Sequence, residues 1–220
     1  MPDLREQLRE ILQGRVCLVG VGNVDLADDG FGVRLAQMLA NSDARNSRPK
    51  RDSKPEIQTD AVAEVASDSG LRASFGIRSS TFGFDVLIAG TTPEHHVPQL
   101  AAGAFDAVLF LDAVEFGATP GSVILLNSCE MAARFPQIST HRISLGLLAQ
   151  LIEADGRTKA WLLGAQPGTL KAGGELSPPV KAAVDRLNQL MAERVGLSPD
   201  VPAGAPACPA FRVPRSALPC

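Results

Sequence analysis

The sequence has little that would place it among membrane, nucleic-acid-binding or cysteine-rich proteins. Its four cysteines show no Cys-x-x-Cys spacing, so no cysteine-based metal or redox motif is indicated. The formal net charge of −3 argues against a nucleic-acid-binding surface or a polybasic membrane anchor. No apolar run approaches the roughly 20 residues that span a bilayer. We therefore expect a cytosolic protein without nucleic-acid or membrane partners.

Several common catalytic signatures are also missing. The sequence contains no Gly-Lys-Ser/Thr of a phosphate-binding loop, no Gly-x-Ser-x-Gly and no His-Glu-x-x-His. These absences argue against a P-loop nucleotidase, a serine hydrolase and a zinc protease of the common helical type. Any hydrolytic chemistry must therefore come from other groups.

Alternating apolar and amphipathic segments predict an α/β fold. Short runs rich in β-branched residues are typical of buried strands, and they occur at 15–20, 84–90, 106–114, 121–126 and 160–166. Helical spacing of apolar residues occurs at 1–14, 31–40, 141–154 and 178–195, and Pro93 after Thr92 is typical of a further helix start. This order predicts a three-layer αβα sandwich around a mostly parallel sheet of about five strands.

The composition also predicts how the chain is divided. Residues 1–195 are expected to form a single α/β domain. Within it, residues 41–80 are dense in charge, serine and proline, which is typical of a mobile, solvated insertion. Residues 196–220 are rich in proline and alanine and are expected to form a flexible tail.

The loop GVGNVDLADDG at 20–30 follows the first predicted strand and admits three interpretations. In a dinucleotide-binding loop the third glycine would fall on Asp25, and the carboxylates of Asp28 and Asp29 would repel a phosphate. An aspartate in the first turn of a helix would explain one of these two residues. The third interpretation is a cation site at the carboxyl ends of the strands, where open α/β sheets bind ligands.

A cation site needs further ligands, and the sequence offers two. Asp112 ends the apolar run VLFL, and His141 lies at the predicted start of a helix. Together with Asp29 they would supply two carboxylates and one imidazole, which suits a divalent ion of the Ni, Zn or Cd kind. Each residue also has a simpler explanation, as a helix-start acid, a strand-end cap or an N-terminal helix residue.

The segment GVGNVDLADDGFGVRLA resembles the G-x-G-N-x-x-x-x-D-[D/E]-G-x-G signature of the nickel–iron hydrogenase maturation endopeptidases. The similarity continues in order through AGTTPEHH, FLDAVEFGATPGSVILL, THRISLG and LLGAQP, and covers roughly residues 16–195. Within the family, the T-P-E-H-H and G-A-Q-P stretches are most similar to the proteases that process the large subunit of the formate-hydrogenlyase hydrogenase.

The resemblance implies an endopeptidase that removes the C-terminal peptide of a nickel-loaded hydrogenase large-subunit precursor. It implies Asp29, Asp112 and His141 as both metal-contacting and catalytic residues of this aspartate-dependent protease. The nickel would be supplied by the precursor, and Cd²⁺ or Zn²⁺ would fit the same donors. A monomer is the family-based expectation. The group that acts as general base is left open.

The chain departs from the family where Ala89-Gly90-Thr91 replaces a frequent Asp-Gly-Gly, which puts substrate preference in doubt. His95 and His96 follow this stretch. They are expected either to border the cleft that holds the predicted cation site or to lie elsewhere on the surface. Two other functions stay open: a non-catalytic nickel-checking or chaperone module on the same fold, and a nucleotide-binding α/β protein.

Overall fold

The computed structural model describes residues 3–41, 76–79, 83–135 and 144–193. In these ranges the chain forms a six-stranded sheet with the order β2-β3-β1-β4-β6-β5. Strands β3, β1, β4 and β6 are parallel, whereas β2 and β5 run antiparallel to their neighbours. The strands are β1 (Val16–Val21), β2 (Arg78–Ser79), β3 (Asp85–Gly90), β4 (Ala107–Ala113), β5 (Val123–Asn127) and β6 (Lys159–Ala165).

Helices cover both faces of this sheet. Side chains of α1, α2 and α6 enter the core on one face, and those of α3, α4 and α5 enter the core on the other. The helices are α1 (Leu4–Ile11), α2 (Phe31–Asn41), α3 (Val97–Ala102), α4 (Ser128–Arg134), α5 (Leu145–Ile152) and α6 (Pro178–Glu193). Short 3-10 turns form at Ala27–Gly30, Pro93–His96 and Glu153–Asp155. No helix of the described ranges is both long and apolar enough to cross a membrane.

Strand β1 shows why two cores form. Val16 and Leu18 pack in the core that α1, α2 and α6 cover, whereas Cys17 and Val19 pack in the opposite core. Because successive side chains of a strand point to opposite faces, an apolar run without polar alternation is buried on both sides. The three-layer αβα architecture predicted from the sequence is confirmed.

The carboxyl ends of β1 and β4 lie side by side, since the two strands pair in parallel with Gly20 beside Leu111. Helix α2 leads from β1 toward β3 on one face, and α3 leads from β3 to β4 on the other. The chain therefore changes direction across the sheet at this point, which is where open α/β sheets hold their ligands. Helix α2 lies directly on this end, because a Cβ on Gly32 would overlap the main-chain carbonyls of Val21 and Leu111.

The predicted strands all form, with bounds that shift by one or two residues. The helix predicted to open at His141 begins later in the structure, and His141 itself lies outside the described residues. Helix α5 begins at Leu145, and Ser144 caps it through a 3.3 Å hydrogen bond from the Leu147 amide to Ser144 Oγ. Helix α4 and strand β2 were not predicted.

The proposed insertion at 41–80 includes residues of regular secondary structure near both ends. Asn41 is the last residue of α2, and Arg78–Ser79 pairs with β3. Its middle, residues 42–75, lies outside the described residues, as does the predicted tail at 196–220. Their mobility and the division of the chain into domain and tail stay predictions.

Candidate active site

The loop after β1 depends on a glycine conformation. Gly22 has φ +118°, and a Cβ at this position would collide with the main-chain carbonyl of Asp29. The Gly22 amide donates to the Gly90 carbonyl at the end of β3, over 2.9 Å. A side chain at position 22 would therefore push the acidic turn away from the end of the sheet.

The next residues close the loop onto the acidic turn. The Asn23 amide donates to Asp29 Oδ2 over 2.7 Å, and the Asn23 side chain accepts from the Asp25 amide over 2.9 Å. Asp25 is exposed, and its carbonyl accepts from the Gly173 amide. The asparagine of the G-x-G-N signature thus orients both the loop and the carboxylate of Asp29.

Asp28 is a structural residue. It is fully buried, and its carboxylate accepts hydrogen bonds from the amides of Gly168, Thr169 and Ser177 and from the Ser177 hydroxyl, at 2.6–3.0 Å. Burial acts to raise the pKa of Asp28, but the hydrogen bonds from Ser177, Gly168 and Thr169 outweigh it and lower the pKa. The charged carboxylate therefore holds the segment after β6 against the loop after β1.

Asp29 lies against Asn23, and Asp112 lies against the neighbouring Gly22. The carboxylate of Asp29 contacts the Asn23 amide, and Asp112 Oδ1 lies 3.7 Å from the point where a Cβ of Gly22 would stand. Their exposed fractions are 5% and 4%. Two largely buried carboxylates at one edge of a sheet would be stabilised by a bound cation.

His141, the third predicted ligand, lies outside the described residues. In the described part of the chain, no group of three His, Cys, Asp or Glu side chains is placed to hold a metal ion. The structure thus brings two of the three predicted ligands to one edge of the sheet. The complete trio stays a prediction.

Gln166 is a residue of this edge that the sequence patterns did not single out. Its Oε1 accepts hydrogen bonds from the amides of Phe116 and Ala118, at 2.9 and 3.2 Å, and its carbonyl accepts from the Gly121 amide. Gln166 is buried, and it fixes the loop that follows Asp112 in β4. The G-A-Q-P stretch was the available signal, but only as part of a resemblance.

The 3-10 turn Pro93–His96 follows β3 at the same edge of the sheet. His95 is exposed and His96 is half-buried, whereas Glu94 Oε2 is buried without a hydrogen-bond partner. Pro93 begins the turn as predicted, but the Thr92 side chain makes no capping hydrogen bond. The exposure of His95 fits the simpler interpretation of a surface residue.

The fold and the paired carboxylates define a class, the α/β proteins with an acidic site at the carboxyl ends of a parallel sheet. Comparison with known proteins narrows that class. A family model described as hydrogenase maturation protease (HycI) matches residues 77–194, more than half of the chain. The chain therefore belongs to the hydrogenase maturation protease family. The match includes Asp112 and begins after the loop that carries Asp29.

Two curated relatives agree with this assignment. The hydrogenase expression/formation protein HupD of Rhodobacter capsulatus is 25% identical over 176 residues, 78% of this chain and 66% of that protein. The match thus spans just under two thirds of HupD. The coenzyme F420 hydrogenase subunit delta of Methanothermobacter thermautotrophicus is 25% identical over 187 residues, 83% of this chain and 96% of that protein.

Solved structures share the fold. The [NiFe] hydrogenase maturation protease HycI from Thermococcus kodakarensis KOD1 superimposes with a TM-score of 0.60 at 26% identity, covering 87% of this chain and 99% of that chain. The hydrogenase maturating endopeptidase HybD from E. coli gives a TM-score of 0.56 at 20% identity, covering 83% and 93%. The second likeness shows the fold alone.

Proposed function

We propose that the protein is an endopeptidase that removes the C-terminal peptide of a nickel-loaded [NiFe] hydrogenase large-subunit precursor. The observation that carries the proposal is the placement of Asp29 beside Asn23 and of Asp112 beside Gly22, in a chain that belongs to the hydrogenase maturation protease family. His141 would complete the ligand set. Cytosolic location and a monomeric state stay predictions.

The donor chemistry supports nickel as part of the substrate. Two carboxylates and an imidazole leave coordination positions open, so an ion that the precursor already holds could be shared between the two proteins. The ion would polarise the scissile carbonyl or a water molecule, the usual Lewis-acid role of a metal in hydrolysis. A precursor without nickel would then be left uncut.

This chain's own residues would orient the ligands. The Asn23 amide fixes one carboxylate oxygen of Asp29. Asp28 and Gln166 hold the loops on either side of the site. These contacts exist in the protein alone, so the site is arranged before the precursor arrives, and little ordering is needed on binding.

The test is cleavage of purified precursor, followed by mass spectrometry. We expect the nickel-loaded precursor to be shortened at its C-terminus and the nickel-free precursor to stay intact. Asp112→Asn and His141→Ala should abolish the cut, because each removes a metal ligand, while His95→Ala at the exposed turn serves as the matched control. An intact nickel-loaded precursor after incubation with the unmutated protein would contradict the proposal and favour the nickel-checking module.

A further inference from the structure

A second concave surface lies beside the acidic site. Helices α2 and α6 and the segment that leads into α6 enclose a groove with a volume of about 550 Å³. The lining residues used below are Arg34, Gln37, Glu175, Lys181, Asp185 and Asn188. Asn23, whose amide holds the Asp29 carboxylate, is not among the described residues that line this groove.

Among the described residues, two buried atoms of side chains that line the groove lack hydrogen-bond partners. They are Arg34 Nε, a donor, and Asn188 Oδ1, an acceptor. Leaving a buried polar atom unpaired is costly, and such atoms in native proteins usually mark a place that a ligand or water completes. A ligand that draws these two side chains toward the groove must therefore offer both an acceptor and a donor.

The charges of the groove narrow the ligand further. Two basic side chains, Arg34 and Lys181, line it together with two acidic ones, Glu175 and Asp185. A phosphate group would meet the two carboxylates, and a metal ion would meet the two cations. An extended peptide main chain is uncharged and presents a carbonyl and an amide at each residue, so it satisfies both unpaired atoms.

The groove begins at the loop that carries Asp29. Arg34 Nη2 donates to the Val24 carbonyl over 3.4 Å, and Arg34 Nε lies 3.3 Å from the point where a Cβ of Gly30 would stand. From Arg34 the groove follows α2 to Asn41, which is about 10 Å at 1.5 Å per residue. That length accommodates about three residues of extended chain.

We propose that this groove binds the main chain of an extended segment of the precursor next to its cleavage site. The inference rests on the proposed function, since it names how the same substrate is held. The Arg34 guanidinium would donate to a peptide carbonyl, and the Asn188 carboxamide would accept from a peptide amide. The groove thus selects for an unfolded terminal segment, because a folded chain does not offer its main chain.

The first test is direct binding of a fluorescently labelled synthetic peptide that spans the cleavage site, measured by anisotropy with the full chain. We expect Asn188→Leu to weaken binding about three- to tenfold, the effect of one hydrogen bond. Gln189→Leu, the matched control on the same helix outside the groove, should bind within about twofold of the unmutated protein. Gln37→Trp, at an exposed position of the groove, should weaken binding by filling space and keeps the test valid if Asn188→Leu does not fold.

A second arm tests the main-chain contact itself. Peptides that are N-methylated at one amide at a time should lose affinity for the unmutated protein at one position near the cut. The same methylation should have no effect on Asn188→Leu, because the acceptor is already absent. Absence of peptide binding by the unmutated protein, or equal binding by it, Asn188→Leu and Gln37→Trp, overturns the proposal.

Kinetics separate this inference from the proposed function. Groove variants should raise KM and leave kcat nearly unchanged, whereas Asp112→Asn should lose kcat. If Asn188→Leu and Gln37→Trp cut the precursor with the KM of the unmutated protein, the groove proposal is refuted and the peptidase proposal is unaffected. If the groove variants weaken peptide binding but no cleavage occurs, the groove proposal is supported and the peptidase proposal is refuted.

Discussion

Asp28 and Asp29 are neighbours in one 3-10 turn, yet the two sides of that turn have opposite characters. On the side facing residues 168–177, the carboxylate of Asp28 accepts four hydrogen bonds and is saturated. On the other side, the carboxylate of Asp29 accepts one bond, from the Asn23 amide, next to Gly22, which Asp112 also approaches. Both aspartates are buried.

The difference shows how identical side chains acquire different tasks. A carboxylate that is fully occupied by amide donors stabilises the loops around it and has no lone pairs left for a substrate. A carboxylate that is held by one donor keeps oxygen lone pairs for a cation. Asp28 builds the site, and Asp29 is available to act in it.

The largest expected effect follows from neutralising Asp29. Asp29→Asn keeps the shape of the side chain but removes its charge, and it should reduce cleavage of the nickel-loaded precursor by about a hundredfold or more. Its thermal midpoint should stay close to that of the unmutated protein. Asp25→Asn, an exposed aspartate of the same loop, should keep full activity, and equal activity of both variants would remove the functional distinction between Asp28 and Asp29.

The second effect concerns stability. Asp28→Ala leaves three amides and a hydroxyl without their acceptor and removes a buried charge that they stabilise, so the free energy of unfolding should fall by about 3 kcal/mol. Urea denaturation measures this change. Ser177→Ala removes only the hydroxyl contact and should cost about 1 kcal/mol. An Asp28→Ala protein as stable as the unmutated one would show that the segment after β6 needs no such anchor.

The smallest effect is a pH dependence. Because the pKa of Asp28 is lowered in the folded protein, its stabilising contribution is complete above the unfolded-state pKa of about 3.9. That contribution is lost as the pH falls through the lower folded-state pKa. Urea midpoints between pH 7 and pH 3 should fall less steeply in Asp28→Asn than in the unmutated protein. Parallel curves would contradict the role of the charge.

The sequence predicted five of the six described strands because each of these five is a short apolar run, and β1 and β4 are buried on both faces. Strand β2 is a pair of polar residues and gave no such signal. The direction of each strand was harder to predict than its position. Strand β5 pairs antiparallel with β6 at the edge, and its apolar run, Val123–Asn127, does not differ in composition from a parallel strand. Direction depends on the pairing partner, which no local pattern specifies.

Helix α4 was missed although a signal was present. Asn127 and Glu130 form a reciprocal capping box, in which each side chain accepts from the other's main-chain amide. The spacing Asn-x-x-Glu is a known helix start. The wrong start for α5 has a similar cause, because apolar periodicity locates a helix but Ser144 sets where it begins.

The candidate site likewise has a part that the sequence predicts and a part that it does not. Asp29 and Asp112 could be proposed from the sequence because each follows an apolar strand, and parallel strands end at one edge. The role of Asp28 could not, since its hydrogen-bond partners lie about 140 positions further along the chain. A single sequence gives no sign of contacts between such distant loops, and Asp28 and Asp29 look equivalent in it.

The distance along the chain between Asp28 and its hydrogen-bond partners has a consequence for how the protein folds during synthesis. Loop closure over so many residues is slow compared with local helix formation. The acidic turn after β1 is made early, but its anchor, Ser177, leaves the ribosome only after β6 is complete. A growing chain therefore holds its carboxylates in no fixed arrangement, and the acidic turn takes its final position only when the last strand has joined the sheet.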